Sequence, residues 1–305
     1  MEEVFVVYTS IEVRELEIIK HINNAIDYIE ANLDANINVD EIAKIALSSR
    51  YHFQRMFHAL TGFTVTEYIR NRRMTLAGEE LVCTNIKIID IANKYSYDSP
   101  DAFTKAFQRF HGSTPSMVRR ENRKLKAFPK LSFKLSIKGE CEMNYRIVKK
   151  DGFKVFGVET ITTTENNTLY KEIPEFCNKI WNDGTHEKIN TFLGYPKNNM
   201  LYGIHYDFKE NGNRRYMIGW ETLNKDIPKE YKVVDVYEST WAIFEESNDS
   251  SNSLAIQDLW RRIYSEWFPS SGFEQVEGAC MEKYFWDDEE CDRYTYEIWI
   301  PVKRK

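Results

Sequence analysis

The chain has 305 residues, of which 42% are hydrophobic and 14% aromatic, and its 41 Lys and Arg against 47 Asp and Glu give a net charge of −6. This composition excludes a disordered chain, and no apolar run approaches the roughly 18 residues of a transmembrane helix. The length predicts two domains of about 150 residues each. The acidic N-terminus lacks the basic start of a secretory signal, and five scattered cysteines fit a reducing compartment, so we predict a cytoplasmic protein with no membrane partner.

The charge is distributed unevenly along the chain. Residues 43–126 carry 15 basic and 7 acidic residues, a net charge of +8, whereas residues 127–305 carry 24 basic and 30 acidic residues, a net charge of −6. A concentrated basic segment is typical of a nucleic-acid-binding surface, although a solvated surface gives the same count. The acidic total therefore does not exclude a DNA-binding function for the first half.

The first half has the periodicity of amphipathic helices. Asn38 and Glu41 form a capping-box pattern that opens a short helix, and the next helix, over residues 49–60, would turn Phe53 and Phe57 inward. A short helix, a tight turn and a second helix are typical of a helix-turn-helix unit. An earlier helix is predicted from the apolar stripe Ile19, Ile22, Ile26, Ile29 and Leu33.

The same arrangement recurs about fifty residues later. Thr64 and Glu67 form a second capping-box pattern, which opens a linking helix over residues 65–82. A helix of about 18 residues is about 27 Å long, which is close to the roughly 34 Å of one turn of B-DNA. Two recognition helices held at this spacing could therefore enter successive major grooves. The parts of the second unit are a short helix from Ile88, the turn Ser96-Tyr97-Asp98, and a helix with Phe103, Phe107 and Phe110 inward.

Residues 18–120 resemble the DNA-binding domain of the AraC/XylS family of transcription regulators. The resemblance is carried by three stretches and one glycine. These are Tyr51-His52-Phe53-Gln54-Arg55-Met56-Phe57, Gly62, Tyr68-Ile69-Arg70-Asn71-Arg72-Arg73-Met74 and Phe107-Gln108-Arg109-Phe110-His111-Gly112-Ser113-Thr114-Pro115. It implies an all-α tandem helix-turn-helix domain that binds double-stranded DNA, with RNA polymerase as a further candidate partner.

The resemblance also implies which side chains contact DNA. The first recognition helix would present Tyr51, Gln54 and Arg55, and the chemistry fits, because Arg binds guanine bidentately and Gln binds adenine. The second would present Asp101, Thr104 and Lys105, although the carboxylate of Asp101 would repel phosphate. Arg70 and Arg72 are expected to be phosphate contacts or solvated surface. Where the family often has glycine in each turn, this chain has Ala46-Leu47-Ser48 and Ser96.

After a polar linker at residues 121–142, whose alternating run Leu131–Leu135 is compatible with one strand, the periodicity changes to two. Residues 143–303 are predicted to form an α+β domain with a duplicated strand-helix-strand-strand unit. The predicted strands are Tyr145–Val148 and Phe153–Val158 around the turn Asp151-Gly152, then 201–206, 215–220, 231–237, 240–244, 278–285 and 294–302. The predicted helices are Leu169–Trp181 and Leu254–Trp267.

This second half resembles the GyrI-like effector-binding domain, so the whole chain has a Rob-like, multidomain arrangement. The carrying stretches are Trp267-Phe268-Pro269-Ser270-Ser271-Gly272-Phe273-Glu274, Met281-Glu282-Lys283-Tyr284 and Tyr296-Glu297-Ile298-Trp299-Ile300-Pro301-Val302. The resemblance implies a groove for a hydrophobic cation, with Glu282 as its acid and Tyr294 as an aromatic residue on the neighbouring strand. An uncompensated carboxylate in an apolar pocket would be neutralised by such a ligand. Candidate walls are Trp181, Tyr202, Tyr216, Trp220 and Trp299, each of which could equally be plain core.

The sequence favours a bacterial transcription regulator with no catalytic function, metal or cofactor. G-x-S-x-G, P-loop and H-E-x-x-H patterns are missing, and neither His nor Cys occurs in metal-ligand spacing. Two alternatives stay open. Glu282 with Tyr294 resembles the pair that GyrI-like hydrolases use on small molecules, and the second half could instead contact only protein partners.

Overall fold

The computed structural model describes residues 10–121, 123–133, 143–165, 168–194, 201–221, 226–248, 253–286 and 294–305. By contacts the chain forms two compact units, one of Met1–Phe53 with Val65–Ile137 and the other of Gln54–Thr64 with Lys138–Lys305. Within those described ranges, no helix is long and apolar enough to cross a membrane. Of the five cysteines, Cys141 and Cys291 lie outside the described residues.

The helices of the first half follow the predicted order as far as α6, and α7 was not predicted. They are α1 (Ser10–Ala31), α2 (Val39–Ile45), α3 (Arg50–Thr61), α4 (Val65–Cys83), α5 (Ile88–Lys94), α6 (Pro100–His111) and α7 (Pro115–Glu121). Helix α1 begins at Ser10, eight residues before the segment 18–120 that carries the resemblance, so residues 10–17 are helical. The linking helix α4 has 19 residues and is therefore about 28 Å long.

Side-chain caps explain where two of these helices begin. The Oδ1 of Asn38 accepts the N–H of Asp40 at 2.8 Å before α2, as the capping pattern predicted. The carboxylate of Glu41 instead accepts a hydrogen bond from the hydroxyl of Tyr28 at 2.7 Å. Before α6 the Oγ of Ser99 accepts the N–H of Ala102 at 3.2 Å.

The buried face of the second helix-turn-helix unit is the predicted one. Phe103 and Phe107 are fully buried, their ring centroids lie 5.6 Å apart, and they pack against α4 and α5. This cluster comprises Met74, Ala77, Leu81, Ile91, Ala92, Tyr95, Phe103, Phe107 and Val118. The helix pair is therefore held by apolar burial on one side, which leaves the other side of α6 to polar residues.

Residues 123–133 of the linker run along the helices of the first unit. The backbone N–H of Phe128 donates to the Oγ1 of Thr75 at 2.9 Å, and Phe133 exchanges two 2.9 Å hydrogen bonds with the side-chain amide of Asn23. Over 131–133 the strand predicted at Leu131–Leu135 does not form, because helix side chains take the backbone groups that a sheet partner would use. The rest of that run lies outside the described residues.

The second half forms a single antiparallel sheet across its described strands. The strands are β1 (Asn144–Lys150), β2 (Phe153–Thr163), β3 (Leu201–Tyr206), β4 (Asn213–Glu221), β5 (Lys232–Val236), β6 (Ser239–Asn248), β7 (Phe273–Gln275), β8 (Cys280–Trp286) and β9 (Tyr294–Arg304). Their order is β1-β6-β9-β8-β3-β4-β2-β5, with β7 on β9. Read outward from the central pair β8 and β3, each half has the same order, which confirms the predicted duplication.

The predicted turn at Asp151-Gly152 does not join a hairpin. Strands β1 and β2 flank Asp151-Gly152 but do not pair: β1 pairs with β6, and β2 pairs with β4 and β5. The chain thus crosses from one half of the sheet to the other at Gly152. A Cβ on Gly152 would lie 3.2 Å from the backbone oxygen of Val236, so a larger residue would need the neighbouring backbone to move by a few tenths of an ångström.

The helices of this half are α8 (Leu169–Asn182), α9 (Thr185–Leu193) and α10 (Ser253–Arg262), which continues through a π-helical turn, Ile263–Trp267, into α11 (Phe268–Ser270). Helices α8 and α9 cover the sheet through Ile180 and Ile189, which pack with Phe156, Ile218 and Trp220. Helix α9, the π-helical turn and β7 were not predicted. We call this face of the sheet the helix-covered face, and the other, around Tyr202, Trp241 and Trp299, the opposite face.

Candidate functional site

Helix α6 presents the predicted polar face. Asp101 and Lys105 are exposed and Thr104 is half-buried, while Phe103 and Phe107 on the other side fill the core. Arg109 is exposed one turn further along the helix. The side chains expected to reach DNA from this helix are therefore accessible, and the one acid among them, Asp101, lies in its first turn.

The arginines of α4 divide differently from the expectation. Arg72 is neither solvated surface nor open to a phosphate, because its guanidinium binds the carboxylate of Glu30 through Nε at 2.9 Å and Nη2 at 2.7 Å. Its Nη1 also donates to the backbone oxygen of Phe128. The Glu30 hydrogen bond raises the pKa of Arg72, as expected for a structural ion pair. Arg70, two residues earlier, is half-buried.

The three predicted contact residues of α3 are half-buried rather than exposed. These are Tyr51, Gln54 and Arg55. The guanidinium carbon of Arg55 lies 4.0 Å from the ring centroid of Phe208, in the loop between β3 and β4, and the side chain also hydrogen bonds Tyr264. Arg55 therefore has an aromatic and a phenolic partner within its own compact unit.

Glu282, the predicted acid of the groove, is buried on the helix-covered face with a relative exposure of 7%. Its Oε1 accepts the indole N–H of Trp260 at 2.8 Å and lies 3.2 Å from the Nε2 of His205, and its Oε2 accepts the hydroxyl of Tyr284 at 2.9 Å. The carboxylate is thus hydrogen bonded by three side chains. This differs from the expectation of an uncompensated carboxylate, since strand and helix neighbours supply donors on the same face.

The hydrogen bonds set the protonation states of this cluster. Burial alone would raise the pKa of Glu282, but His205, Trp260 and Tyr284 together lower it below its ordinary value. Burial lowers the pKa of His205, so at neutral pH the imidazole is uncharged and donates from Nε2. Because its pKa is lowered, Glu282 is ionised at neutral pH.

A buried arginine adjoins this cluster. Arg214 on β4 is 8% exposed, and burial lowers its pKa to about 10, with Arg55 lowering it further and Glu282 opposing the shift. Its guanidinium carbon lies 5.9 Å from the Phe208 ring centroid, on the ring that also contacts Arg55. Glu282 is therefore accompanied by two cations in the same unit.

A glycine creates the space beside Glu282. Gly203 lies directly opposite Glu282 in the β3–β8 pairing. A Cβ on Gly203 would come within 2.6 Å of the hydroxyl of Tyr216 and 3.1 Å of the Oε2 of Glu282. Any larger residue would push Tyr216 or Glu282 out of position.

The structure separates the predicted aromatic walls into three groups. Tyr216 adjoins His205, with ring centroids 4.9 Å apart, and so lies at the Glu282 cluster. Trp181 is 45% exposed and contacts His186 at 4.0 Å, and His186 lies 5.8 Å from Trp220. Tyr202 and Trp299 are on the opposite face of the sheet.

Tyr294 is not opposite Glu282. Glu282 pairs with Ile298, four residues from Tyr294, which pairs with Trp286, so the two backbones are separated by about 13 Å along the strand. The side chain of Tyr294 lies outside the described residues. Tyr284 is the tyrosine that bonds Glu282, and its spacing of two residues on the same strand places it on the same face.

The opposite face has a cation-containing cluster of its own. The ammonium of Lys283 lies 4.0 Å from the Trp299 ring centroid and 5.0 Å from that of Tyr202, and burial lowers its pKa to about 8. The buried carboxylate of Glu297 accepts the indole N–H of Trp299 at 2.7 Å. The rings of Tyr202 and Trp299 thus already contact a cation of the protein itself, the ammonium of Lys283.

Sequence reasoning missed His205, Trp260, Tyr284 and Arg214. Only Tyr284 had a usable signal, since alternation along β8 places it beside Glu282. The remaining three come from β3, α10 and β4, which only the fold brings together. Within the described ranges, no group of three His, Cys, Asp or Glu side chains could hold a metal ion. The cluster offers a buried carboxylate, aromatic faces and hydrogen-bond donors, with Arg214 beside it, which is the kind of lining that small-molecule sites have.

Comparison with known proteins assigns both halves. Residues 143–303 match the GyrI-like small molecule binding domain, and residues 42–121 match a helix-turn-helix domain family. The transcriptional activator AarP of Providencia stuartii is 40% identical over 98 residues, which are 32% of this chain and 73% of AarP. The regulatory protein SoxS of Salmonella typhimurium is 40% identical over 98 residues, which cover 92% of SoxS.

The transcriptional regulator Rob of Salmonella typhimurium is 37% identical over 101 residues, which are 33% of this chain and 35% of Rob. The matched segment is thus about a third of Rob. The match of the second half covers more than half of this chain, and the match of the first half covers most of AarP and SoxS. The chain belongs to the AraC/XylS family of transcription regulators and carries a GyrI-like small-molecule binding domain at residues 143–303.

Proposed function

We propose that this regulator is cytoplasmic, binds a specific DNA sequence through α3 and α6, and binds a small lipophilic cation beside Glu282. The observation that supports the ligand class is the carboxylate of Glu282, which is buried and ionised and accepts the indole N–H of Trp260 and the hydroxyl of Tyr284. An organic cation would supply the positive charge and cover the rings of Trp260 and Tyr216.

The same geometry supports binding over catalysis. A hydrolase that used Glu282 as a general base would need a carboxylate with a pKa near neutrality. The three hydrogen bonds instead lower the pKa of Glu282, which makes it a weak base. The predicted partner Tyr294 begins β9, four residues before Ile298, which is the residue opposite Glu282.

The test is the affinity of full-length protein for the fluorescent cation rhodamine 6G, measured by anisotropy. Glu282→Gln keeps the shape and removes the charge, and we expect affinity to fall about tenfold or more, as for loss of one buried ionic contact. Glu297→Gln is the matched control, because Glu297 is equally buried and on the opposite face. Equal affinity of Glu282→Gln and wild type would refute the proposed site, and hydrolysis of an ester substrate that depended on Glu282 would favour the enzyme alternative.

A further inference from the structure

Residues Gln54–Thr64 pack against the β3–β4 loop and the end of β2, within one compact unit. Arg55 stacks on Phe208 at 4.0 Å, and His58 hydrogen bonds the backbone of Thr164. A Cβ on Gly212 would lie 3.0 Å from the methyl carbon of Thr64, so this loop touches the end of the segment as well. The segment is thus held by contacts at Arg55, His58 and Thr64, and we call the position of the Arg55 guanidinium on the Phe208 ring the seat of Arg55.

The seat of Arg55 is electrostatically connected to Glu282. Arg55 lowers the pKa values of Arg214 and His205, and Glu282 raises both, so Arg214 and His205 lie in the fields of Arg55 and of Glu282. Arg55 and Arg214 share one aromatic ring, and Glu282 is the carboxylate that offsets them. Arg55 and Arg214 therefore supply positive charge on the Glu282 side of the unit, and a ligand cation beside Glu282 would compete with them.

Arg55 is also the side chain expected to donate to guanine. A guanidinium that stacks on Phe208 cannot at the same time enter a major groove, because both partners need the same planar group. Seating on Phe208 and base recognition are therefore mutually exclusive for this residue.

We propose that Arg55 is a tethered cation which sits on Phe208 when no effector is bound, and that a cationic effector beside Glu282 expels it and makes it available to DNA. This inference rests on the proposed function. A ligand cation would bring a third positive charge beside Arg55 and Arg214, and of these two arginines Arg55 is the one that lies on a recognition helix. By linkage, DNA and the cation then strengthen each other's binding by the same factor.

The experiment measures affinity of the full chain for DNA, using a duplex selected by the wild-type protein from a random-sequence pool, with and without rhodamine 6G. Phe208→Ala removes the seat, so it should bind the duplex about tenfold more tightly without dye and respond little to dye. Tyr237→Ala is the matched control, since Tyr237 is 80% exposed and its loss also removes one ring. It should behave as wild type.

Arg55→Ala supplies the reciprocal measurement. Without the tethered cation, affinity for rhodamine 6G should rise several-fold, while affinity for the duplex falls. Suppose that wild-type protein binds both probes, that Phe208→Ala leaves the affinity for DNA unchanged, and that Arg55→Ala leaves the affinity for the dye unchanged. The tethered-cation inference is then wrong and the proposed function stands. If wild-type protein binds neither probe, the proposed function is wrong and the inference goes with it.

Discussion

His111 shows how one buried side chain fixes a chain segment that has no regular structure. Its Nε2 lies 2.9 Å from the backbone oxygen of Met74, and its Nδ1 accepts the backbone N–H of Lys126 at 3.1 Å. The ring also packs on Gly78, where a Cβ would come within 3.1 Å of it. His111 thus joins the end of α6, the middle of α4 and the start of the linker, and it does so as a neutral ring.

The stability of the first unit should depend on the protonation of His111. Burial lowers the pKa of His111 below its ordinary value near 6.5, so the unfolded chain binds the proton more readily than the folded chain. Stability is then fully present above about pH 6.5 and is lost as the pH falls below it, by up to about 1.4 kcal/mol per pH unit. Protonation would also break the bond from Lys126.

The measurement is the free energy of unfolding of wild type and His111→Gln at pH 7.5 and pH 5.5. The variant should be less stable at pH 7.5 by about 1–3 kcal/mol, and its loss between the two pH values should be smaller than that of wild type. Three other histidines, His58, His186 and His205, also have lowered pKa values and remain in both proteins. An identical pH dependence in the two proteins would mean that His111 contributes nothing to it.

At the scale of elements, the two helix-turn-helix turns contain backbone strain where the family often has glycine. Leu47 has φ 49° and Ser96 has φ 61°, both in the left-handed region. This conformation costs an L-residue other than glycine about 1–2 kcal/mol. The two turns therefore have the conformation that glycine favours, although a different residue occupies the position, and the backbone is strained there.

Leu47→Gly should raise the free energy of unfolding by about 0.5–1 kcal/mol, since the relief of strain exceeds the added entropy of the unfolded chain. The side chain contributes little, because Leu47 is 70% exposed. Leu47→Ala is the control, as it removes the side chain and keeps the strain. Urea unfolding that placed the two variants at the same stability would show that φ at this turn is not strained.

The positions of the strands in the sequence were easier to predict than the pairing of the strands in the sheet. Alternation placed β2 and β6 in the sequence within a few residues, but it also suggested that β1 and β2 form a hairpin. The crossover at Gly152 decides which strands lie side by side and so which strands pair. The residues of a single strand do not indicate its partner. Helix α9 was missed because it follows α8 after the short break Asp183-Gly184.

For the whole molecule, the uneven charge predicts that DNA affinity falls steeply with salt. Each phosphate neutralised by a Lys or Arg adds about −0.9 to the slope of log affinity against log salt concentration. Arg72 is held by Glu30 and adds nothing, whereas Lys105 is exposed on α6.

Lys105→Gln should therefore make the slope shallower by about 0.9, while Lys171→Gln, an exposed lysine of α8, should leave it unchanged. The measurement is duplex binding by anisotropy between about 50 and 200 mM salt. Equal slopes for Lys105→Gln and wild type would remove Lys105 from the phosphate contacts.

The sequence by itself determined the two-part organisation, the order of nearly all elements, and the buried Phe103 and Phe107 face. These follow from local rules, because periodicity, caps and turns depend on residues a few positions apart. Glu282 as the acid of a groove was implied only by the resemblance. The tertiary structure alone decided which side chains surround Glu282, because His205, Trp260 and Arg214 are far apart in the chain. It also decided that Arg72 binds Glu30 and Arg55 stacks on Phe208, since the partner of a charged side chain is a matter of distance in space.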